Sequence, residues 1–220
     1  MRPRPILYSF RRCPYAMRAR LALAVAQIDL ELREILLKDK PAAMLEASAK
    51  ATVPVLVLPE GEVIDESLDV MHWALQQSDP QGWLHANDAA TTQELLAIND
   101  GEFKHWLDRT KYSVRFPEHS MEHYRDQAMH ILRDWNVRLE ANGGALLGSQ
   151  RRLVDWALLP FVRQFSMIDQ QWFAQTPMPA LQHWLQQGLA TPLFGRIMTK
   201  YAPWQPEAGP GIDLNWGLES

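Results

Sequence analysis

The 220-residue chain predicts two domains, a small α/β layer followed by an all-α second half. Three observations carry that expectation. Over the first eighty residues, short apolar runs of strand length alternate with helical periodicity. Beyond Asp79-Pro80 the strand signals nearly vanish, and Ser78 to Asn87 holds the Pro, Gly and Asn of a linker. The expected limits are 1–78 for the α/β domain, 79–87 for the linker, and 88–220 for an all-helical domain with an extended tail.

Residues 5–10 (Pro-Ile-Leu-Tyr-Ser-Phe) read as a buried strand. Met17, Leu21, Val25 and Ile28 then recur at helical spacing and give the next segment one apolar stripe. A second strand is expected around Leu30 to Ile35, and a polar, alanine-rich helix from Pro41 to Ala49. Val53 to Leu58 is a continuous apolar strand, which Pro59-Glu60-Gly61-Glu62 turns back into Val63-Ile64 as a hairpin. Leu68, Met71, His72 and Leu75 mark another helix. The order is β-α-β, then α, then β-β-α. A strand-helix-strand start implies a parallel pair, and the hairpin adds antiparallel strands on the other side.

In the second half, Asn87 or Asp88 can cap a helix reaching about Lys111. Pro117 is expected to open another helix, which Gly143-Gly144 ends. Residues 152–169 read as a very apolar helix kinked at Pro160, and Thr176-Pro177 and Thr191-Pro192 announce two shorter ones. The tail from Ala202 holds Trp204 and Trp216 among Pro and Gly, and reads as a wrapped extension rather than a regular element.

Composition removes several classes. With 47% hydrophobic and 22% charged residues the chain is globular, and no apolar run reaches the length of a membrane span. A net charge of −4 argues against a general nucleic-acid binder. The single cysteine, Cys13, excludes an internal disulfide and a Cys-based zinc cluster, and favours a reducing compartment such as the cytoplasm. His119-Ser120-Met121-Glu122-His123 matches a short zinc-peptidase pattern, but without a supporting carboxylate cluster it reads as a polar helix face, and no metal is expected.

Charge placement is more informative than its sum. No acidic residue precedes Asp29, while Arg2, Arg4, Arg11, Arg12, Arg18 and Arg20 all fall in that stretch. Such an Arg-rich, acid-poor start also suits a transit peptide, but the strand and helix patterns already serve a fold. Pro14 suits the first position of a helix, which makes Cys13 its N-cap. There the sulfur is expected to face the N–H groups of Tyr15 and Ala16 and the positive end of the helix dipole, which favour thiolate. The position three residues on, where a dithiol motif keeps its second thiol, is Ala16. Disulfide chemistry therefore has to borrow its second thiol from outside, and glutathione is the obvious donor.

Cys13-Pro14-Tyr15-Ala16, Thr52-Val53-Pro54-Val55-Leu56 and Glu66-Ser67-Leu68-Asp69-Val70, in that order, resemble the glutathione S-transferase superfamily. Within it they look most like the cysteine-type members, the omega-class transferases and two-domain glutaredoxins. Asp155-Trp156-Ala157-Leu158-Leu159-Pro160-Phe161 resembles the helical second domain of the same superfamily. The resemblance implies a thioredoxin-like first domain, a catalytic Cys13 and glutathione as cosubstrate. It implies a cis Pro54, with Thr52 and Val53 beside it and the Val53 backbone pairing with the cysteinyl part of glutathione. Tyr15 would join that site; Glu66 would take the γ-glutamyl ammonium, Ser67 its carboxylate, and Lys40 the glycyl end. Two departures stand out. Arg152 occupies the position where many members have a Ser or Thr that caps the Asp155 helix. Tyr8 and Ser9 lie near the catalytic hydroxyl of other types, which leaves Ser9 as an alternative to Cys13.

Phe10, Phe103, Trp106 and Tyr112 are candidates for a second-substrate pocket, although core packing explains Phe103 and Trp106 equally well. The expected activity is glutathione-dependent thiol transfer or reduction through a mixed disulfide at Cys13, on a small electrophilic or glutathionylated substrate. A conjugating or reductive dehalogenase-like transferase and a non-catalytic glutathione-binding protein are the alternatives. Neither nucleic acid nor membrane is an expected partner, and monomer and homodimer are both open.

Overall fold

A computed structural model describes residues 3–84 and 88–216. They form two compact units, one made of residues up to 81 together with 192 onward, the other of residues 82–191. The expected linker 79–87 therefore extends, at 85–87, outside the described residues, as does Asn87 as a helix cap. Among the described residues no helix is long and apolar enough to cross a membrane.

The first unit is a mixed sheet with helices. Its elements are β1 (Ile6–Ser9), α1 (Pro14–Val25), β2 (Leu30–Glu34), α2 (Ala42–Ala47), β3 (Val55–Val57), β4 (Val63–Ile64) and α3 (Ser67–Gln77). β1 pairs in parallel with β2 and antiparallel with β3, and β3 pairs with β4 as the expected hairpin. The apolar stripe expected for α1 understates its burial. All its residues except Tyr15 are buried, Arg18 and Arg20 included, and the helix stops at Val25, before Ile28. Between the sheet and Pro14's helix lies a cluster of Tyr8, Ala16, Ile35, Met44, Val53 and Val55, against which Phe10, Cys13 and Trp204 pack.

The tail differs from expectation. The C-terminal domain ends at Thr191, and the chain then returns to the first unit. After a short helix, Pro192–Ile197, residues Ile212–Leu214 form a fifth strand that pairs antiparallel with β2. In element order these are α10 and β5, and the sheet runs β4-β3-β1-β2-β5. A wrapped extension is thus a strand as well, and it covers an edge that would otherwise present unpaired backbone groups.

The second unit is helical: α4 (Ala89–Ile98), α5 (Lys104–Lys111), α6 (Met121–Asn142), α7 (Leu153–Ser166), α8 (Gln170–Ala174) and α9 (Pro179–Leu189). The single helix expected up to Lys111 is α4 and α5 joined by a π-helical stretch, Asn99–Phe103. α6 begins four residues after Pro117, because the Ser120 side chain accepts from His123 N at 3.2 Å and sets the cap. α7 passes through Pro160 but ends at Ser166, short of residue 169. Asp169 instead caps α8, accepting from Trp172 N at 3.0 Å.

Asp155 holds the start of α7 alone. A guanidinium has no acceptor, so Arg152 cannot supply the missing hydroxyl. Its own amide donates to Asp155 Oδ2 at 2.9 Å, while Leu146 N and Trp184 Nε1 both donate to Oδ1 at 2.9 Å. Burial pushes the Asp155 carboxyl up, and those three donors with Arg151 act against it. Nearby, α9 meets α7 at Gly188, where a Cβ would come within 2.8 Å of Leu159 Cδ1 and 2.9 Å of Arg151 Nη1. Gly188→Ala improves helix propensity by about 1 kcal/mol. Overpacking costs about 1–3 kcal/mol and wins. A lower urea midpoint at unchanged slope is the expected result.

Candidate functional site

Cys13 sits where the sequence places it, immediately before α1 with an extended backbone. Its N–H donates to Phe10 O at 2.9 Å and its carbonyl accepts from Met17 N at 2.9 Å, which fixes the turn between β1 and α1. The sulfur is directed differently from expectation. It makes no capping hydrogen bond to the first turn, and lies 3.8 Å from the carbonyl oxygen of Val53. The Val53–Pro54 peptide bond is cis. Val53 and Pro54 are buried, and Thr52 before them is exposed. Cys13 and the loop at Pro54 are therefore adjacent.

Two of the arginines in the acid-poor stretch are paired with acids, Arg4 with Asp213 and Arg20 with Glu34. Arg20 Nη2 forms an ion pair with Glu34 Oε2 in the interior, the two side chains being 1% and 9% exposed. Arg20 Nε also donates to Ser9 Oγ at 2.8 Å, and Nη1 to Ile197 O at 3.1 Å. Burial lowers the Arg20 pKa, and Glu34 opposes the shift. Arg4 lies 3.3 Å from Asp213, Arg12 stands over the Phe10 ring and Arg18 is buried beside the Tyr15 ring. Arg2 lies outside the described residues. The sequence hid the Arg20–Glu34 pair because Glu34 is fourteen positions from Arg20 and reaches the α1 arginine from β2.

Two hydroxyls are already engaged. Ser9 is fully buried and accepts from Arg20, which removes it as an alternative to Cys13. Tyr8 Oη accepts from Arg33 Nη1 at 2.6 Å, and its ring meets Trp204 edge-on at 6.1 Å.

At the start of α3, Ser67 is buried and Glu66 is exposed. A partner that sequence reasoning missed stands beside them. Lys50 Nζ donates to Glu66 Oε1 at 2.5 Å and to Asp65 Oδ1 at 2.8 Å, and Ser48 Oγ donates to Asp65 Oδ2 at 2.6 Å. The Lys50 and Ser48 hydrogen bonds hold the Asp65 carboxyl below its ordinary range. A ligand ammonium at Glu66 would thus share that carboxylate with Lys50. Half-buried Lys40 lies in a concavity with Pro41 and the tail residues Trp204 to Glu207.

The aromatic candidates divide between the units. Phe10 packs beside Cys13 on the buried cluster. Phe103 is fully buried in the helical core, with its ring 5.1 Å from Trp135 and 5.8 Å from Phe165, so it lines no open surface. Trp106 is half-buried against Tyr124 and His105, and Tyr112 is exposed between Lys111 and Arg115. The His119 and His123 ring centroids lie 4.3 Å apart at a tilt of 32°, and among the described residues no group of three His, Cys, Asp or Glu is placed to hold a metal ion.

Residues 7–82 match the family model described as glutathione S-transferase, N-terminal domain. A protein of Caenorhabditis elegans named probable maleylacetoacetate isomerase is 33% identical over 98 residues, which are 44% of this chain and 45% of that protein. The match thus spans about half the length of that relative. Among solved structures, a glutathione transferase family member from Pseudomonas fluorescens with two glutathione bound superposes with a TM-score of 0.76 at 17% identity, covering 90% of this chain and 93% of the other. A glutathione transferase from Phanerochaete chrysosporium in complex with oxidized glutathione gives 0.76 at 16% identity, covering 89% and 94%. At such identities the likeness shows the fold.

Proposed function

We propose that this chain, whose residues 7–82 match the glutathione S-transferase N-terminal domain, is a member of that superfamily and a glutathione-dependent thiol transferase that works through a mixed disulfide at Cys13. The observation that carries the reading is the position of the single thiol, at the start of α1 and against the loop of the cis proline, with Ala16 where a second thiol would stand. In the first step the Cys13 thiolate attacks the glutathione sulfur of a mixed disulfide. The substrate's thiolate leaves and takes a proton, and Cys13 is left joined to glutathione. A second glutathione thiolate then attacks the glutathione sulfur of that adduct, so that oxidised glutathione departs and the Cys13 thiolate is regenerated.

Glutathione lies with its cysteinyl part along Val53, its γ-glutamyl end at Glu66 and Ser67, and its glycyl end toward Lys40; Tyr15 and Thr52 flank it. The glutathione-bound neighbours support that ligand. A lone reactive thiol with a thiol cosubstrate suits the cytoplasm. The test is incubation with oxidised glutathione followed by intact-mass and peptide analysis. A glutathione adduct at Cys13, reversed by reduced glutathione, is expected. An unmodified Cys13 in a protein that still binds glutathione would overturn the mixed-disulfide mechanism. The name of the nematode relative favours a second reading, an isomerase.

A further inference from the structure

The C-terminal segment reaches the thiol loop through two buried charges, Arg20 and Glu34. After α9 the chain returns to the first unit, where α10 packs against α1 and β5 pairs with β2. Two main-chain groups of that segment meet the pair. The carbonyl of Ile197 accepts from Arg20 Nη1 at 3.1 Å, and Trp204 N donates to Glu34 O at 2.6 Å. The same two side chains hold the loop that carries Cys13. Arg20 Nε donates to Ser9 Oγ at 2.8 Å where β1 ends, and Glu34 Oε1 accepts from Arg11 N at 2.7 Å inside the loop. Cys13 N in turn donates to Phe10 O at 2.9 Å. Trp204 and Cys13 also border the same buried cluster.

Trp204 is itself pinned by the strap that follows it. Its indole Nε1 donates to Gly209 O at 2.8 Å, and the Arg33 guanidinium covers its ring at 4.2 Å. Arg33 Nε donates to Glu31 Oε1 at 2.6 Å, and the same oxygen accepts from Gly211 N at 2.8 Å. A Cβ at Gly211 would fall 2.3 Å from Leu32 O, so only glycine lets the strap lie this close. A contiguous run of contacts thus leads from Gly211 through Glu31, Arg33, Trp204 and Glu34 to Arg11, two residues before the thiol. We propose that Ile197 and Trp204 are positioning residues for Cys13: their main-chain groups fix Arg20 and Glu34, and these fix the thiol loop. The Arg11 N–H is held only as firmly as the Glu34 side chain that accepts it. The consequence for turnover rests on the mixed-disulfide reading above, whereas the consequence for thiol reactivity does not.

Cys13 is the only cysteine, so thiol alkylation by iodoacetamide reports on it alone. The full-length wild type is compared with Trp204→Ala, which keeps the main-chain donor to Glu34, and Trp204→Pro, which has none. In Trp204→Pro, hydrogen exchange at the Arg11 amide is expected to quicken by about tenfold, as for the loss of one hydrogen bond. Cys13 alkylation should slow several-fold, because a loosened thiol leaves the positive end of α1, which favours the attacking anion. Trp204→Ala should change both less, and amides in the middle of α1 should exchange as in wild type. Gly211→Ala, which lifts the far end of the strap, should give the same local pattern and keeps the test decisive if Trp204→Pro does not fold. Wild-type exchange at Arg11 and wild-type alkylation in the folded variants would overturn the tail's role and leave the mixed-disulfide reading intact. Equal acceleration at every amide of α1 would also overturn it, by showing a general loosening of the unit. If exchange and alkylation shift as expected while turnover with a glutathione mixed disulfide keeps its wild-type rate, the positioning role stands and the mixed-disulfide reading fails.

Discussion

Cys13→Ser is expected to abolish thiol transfer while leaving the fold at least as stable. A hydroxyl oxygen cannot form the mixed disulfide, so turnover with a glutathione mixed disulfide should fall on the order of 10³-fold or more, to the uncatalysed background. Stability should move the other way or not at all. Cys13 makes no capping hydrogen bond to α1, whereas serine at an N-cap accepts from the first-turn amides and is worth about 0.5–2 kcal/mol relative to alanine. Coupled assays of transfer and calorimetric melts of the same preparation separate the two effects. The variant also divides the two enzyme readings. If conjugation of glutathione to an electrophile survives while transfer is lost, the reactive sulfur in conjugation is the ligand's own. If transfer survives, Cys13 is not the nucleophile.

The elements legible in the sequence are those whose signal is local. β1 and β3 are apolar runs of strand length, β2 alternates Leu with charged residues at strand period, and β4 follows β3 across a Pro-Glu-Gly-Glu turn. Cys13 was legible because Pro14 marks the helix start. β5 was not, because Ile212-Asp213-Leu214 is three residues long, buries only Leu214 and finds its partner strand about 180 positions away. The π-helical stretch at Asn99–Phe103 keeps ordinary helix formers on both sides, so periodicity runs through it unmarked. Lys50 escaped notice for a related reason: its value lies in reaching Asp65 and Glu66 across a turn, and an exposed lysine carries no local sign of that. The acid-poor start of the chain was misleading as a map of the field at Cys13. It counts charges along the sequence, and Glu34 cancels one of them in space.

That buried pair carries the largest expected effect on stability. Replacing Arg20 by alanine leaves the Glu34 carboxylate in the interior with the Arg11 amide, 2.7 Å from Oε1, as its remaining donor. It also orphans Ser9 Oγ and the carbonyl of Ile197. Breaking such a pair from one side costs about 3–5 kcal/mol, against a total stability of about 5–15 kcal/mol for a domain. Glu34→Ala should cost as much by stranding the guanidinium. The double variant Arg20→Met/Glu34→Leu removes both charges and refills the volume, and should lose less than the sum of the single losses, because neither partner is then left unpaired. Urea titrations of wild type, the single variants Arg20→Met and Glu34→Leu, and the double variant supply the cycle, and a coupling energy under about 0.5 kcal/mol would show that the pair is not a unit. The consequence reaches Cys13 through one bond. Arg11 N–H is held by Glu34 two residues before the thiol, so Glu34→Gln, which keeps an acceptor for Arg11 but gives up the charge facing Arg20, should preserve the loop and the Cys13 alkylation rate while lowering the urea midpoint. If Glu34→Gln slows alkylation as much as Glu34→Ala does, the charge of Glu34, rather than its hydrogen bond to the loop, is what Cys13 senses.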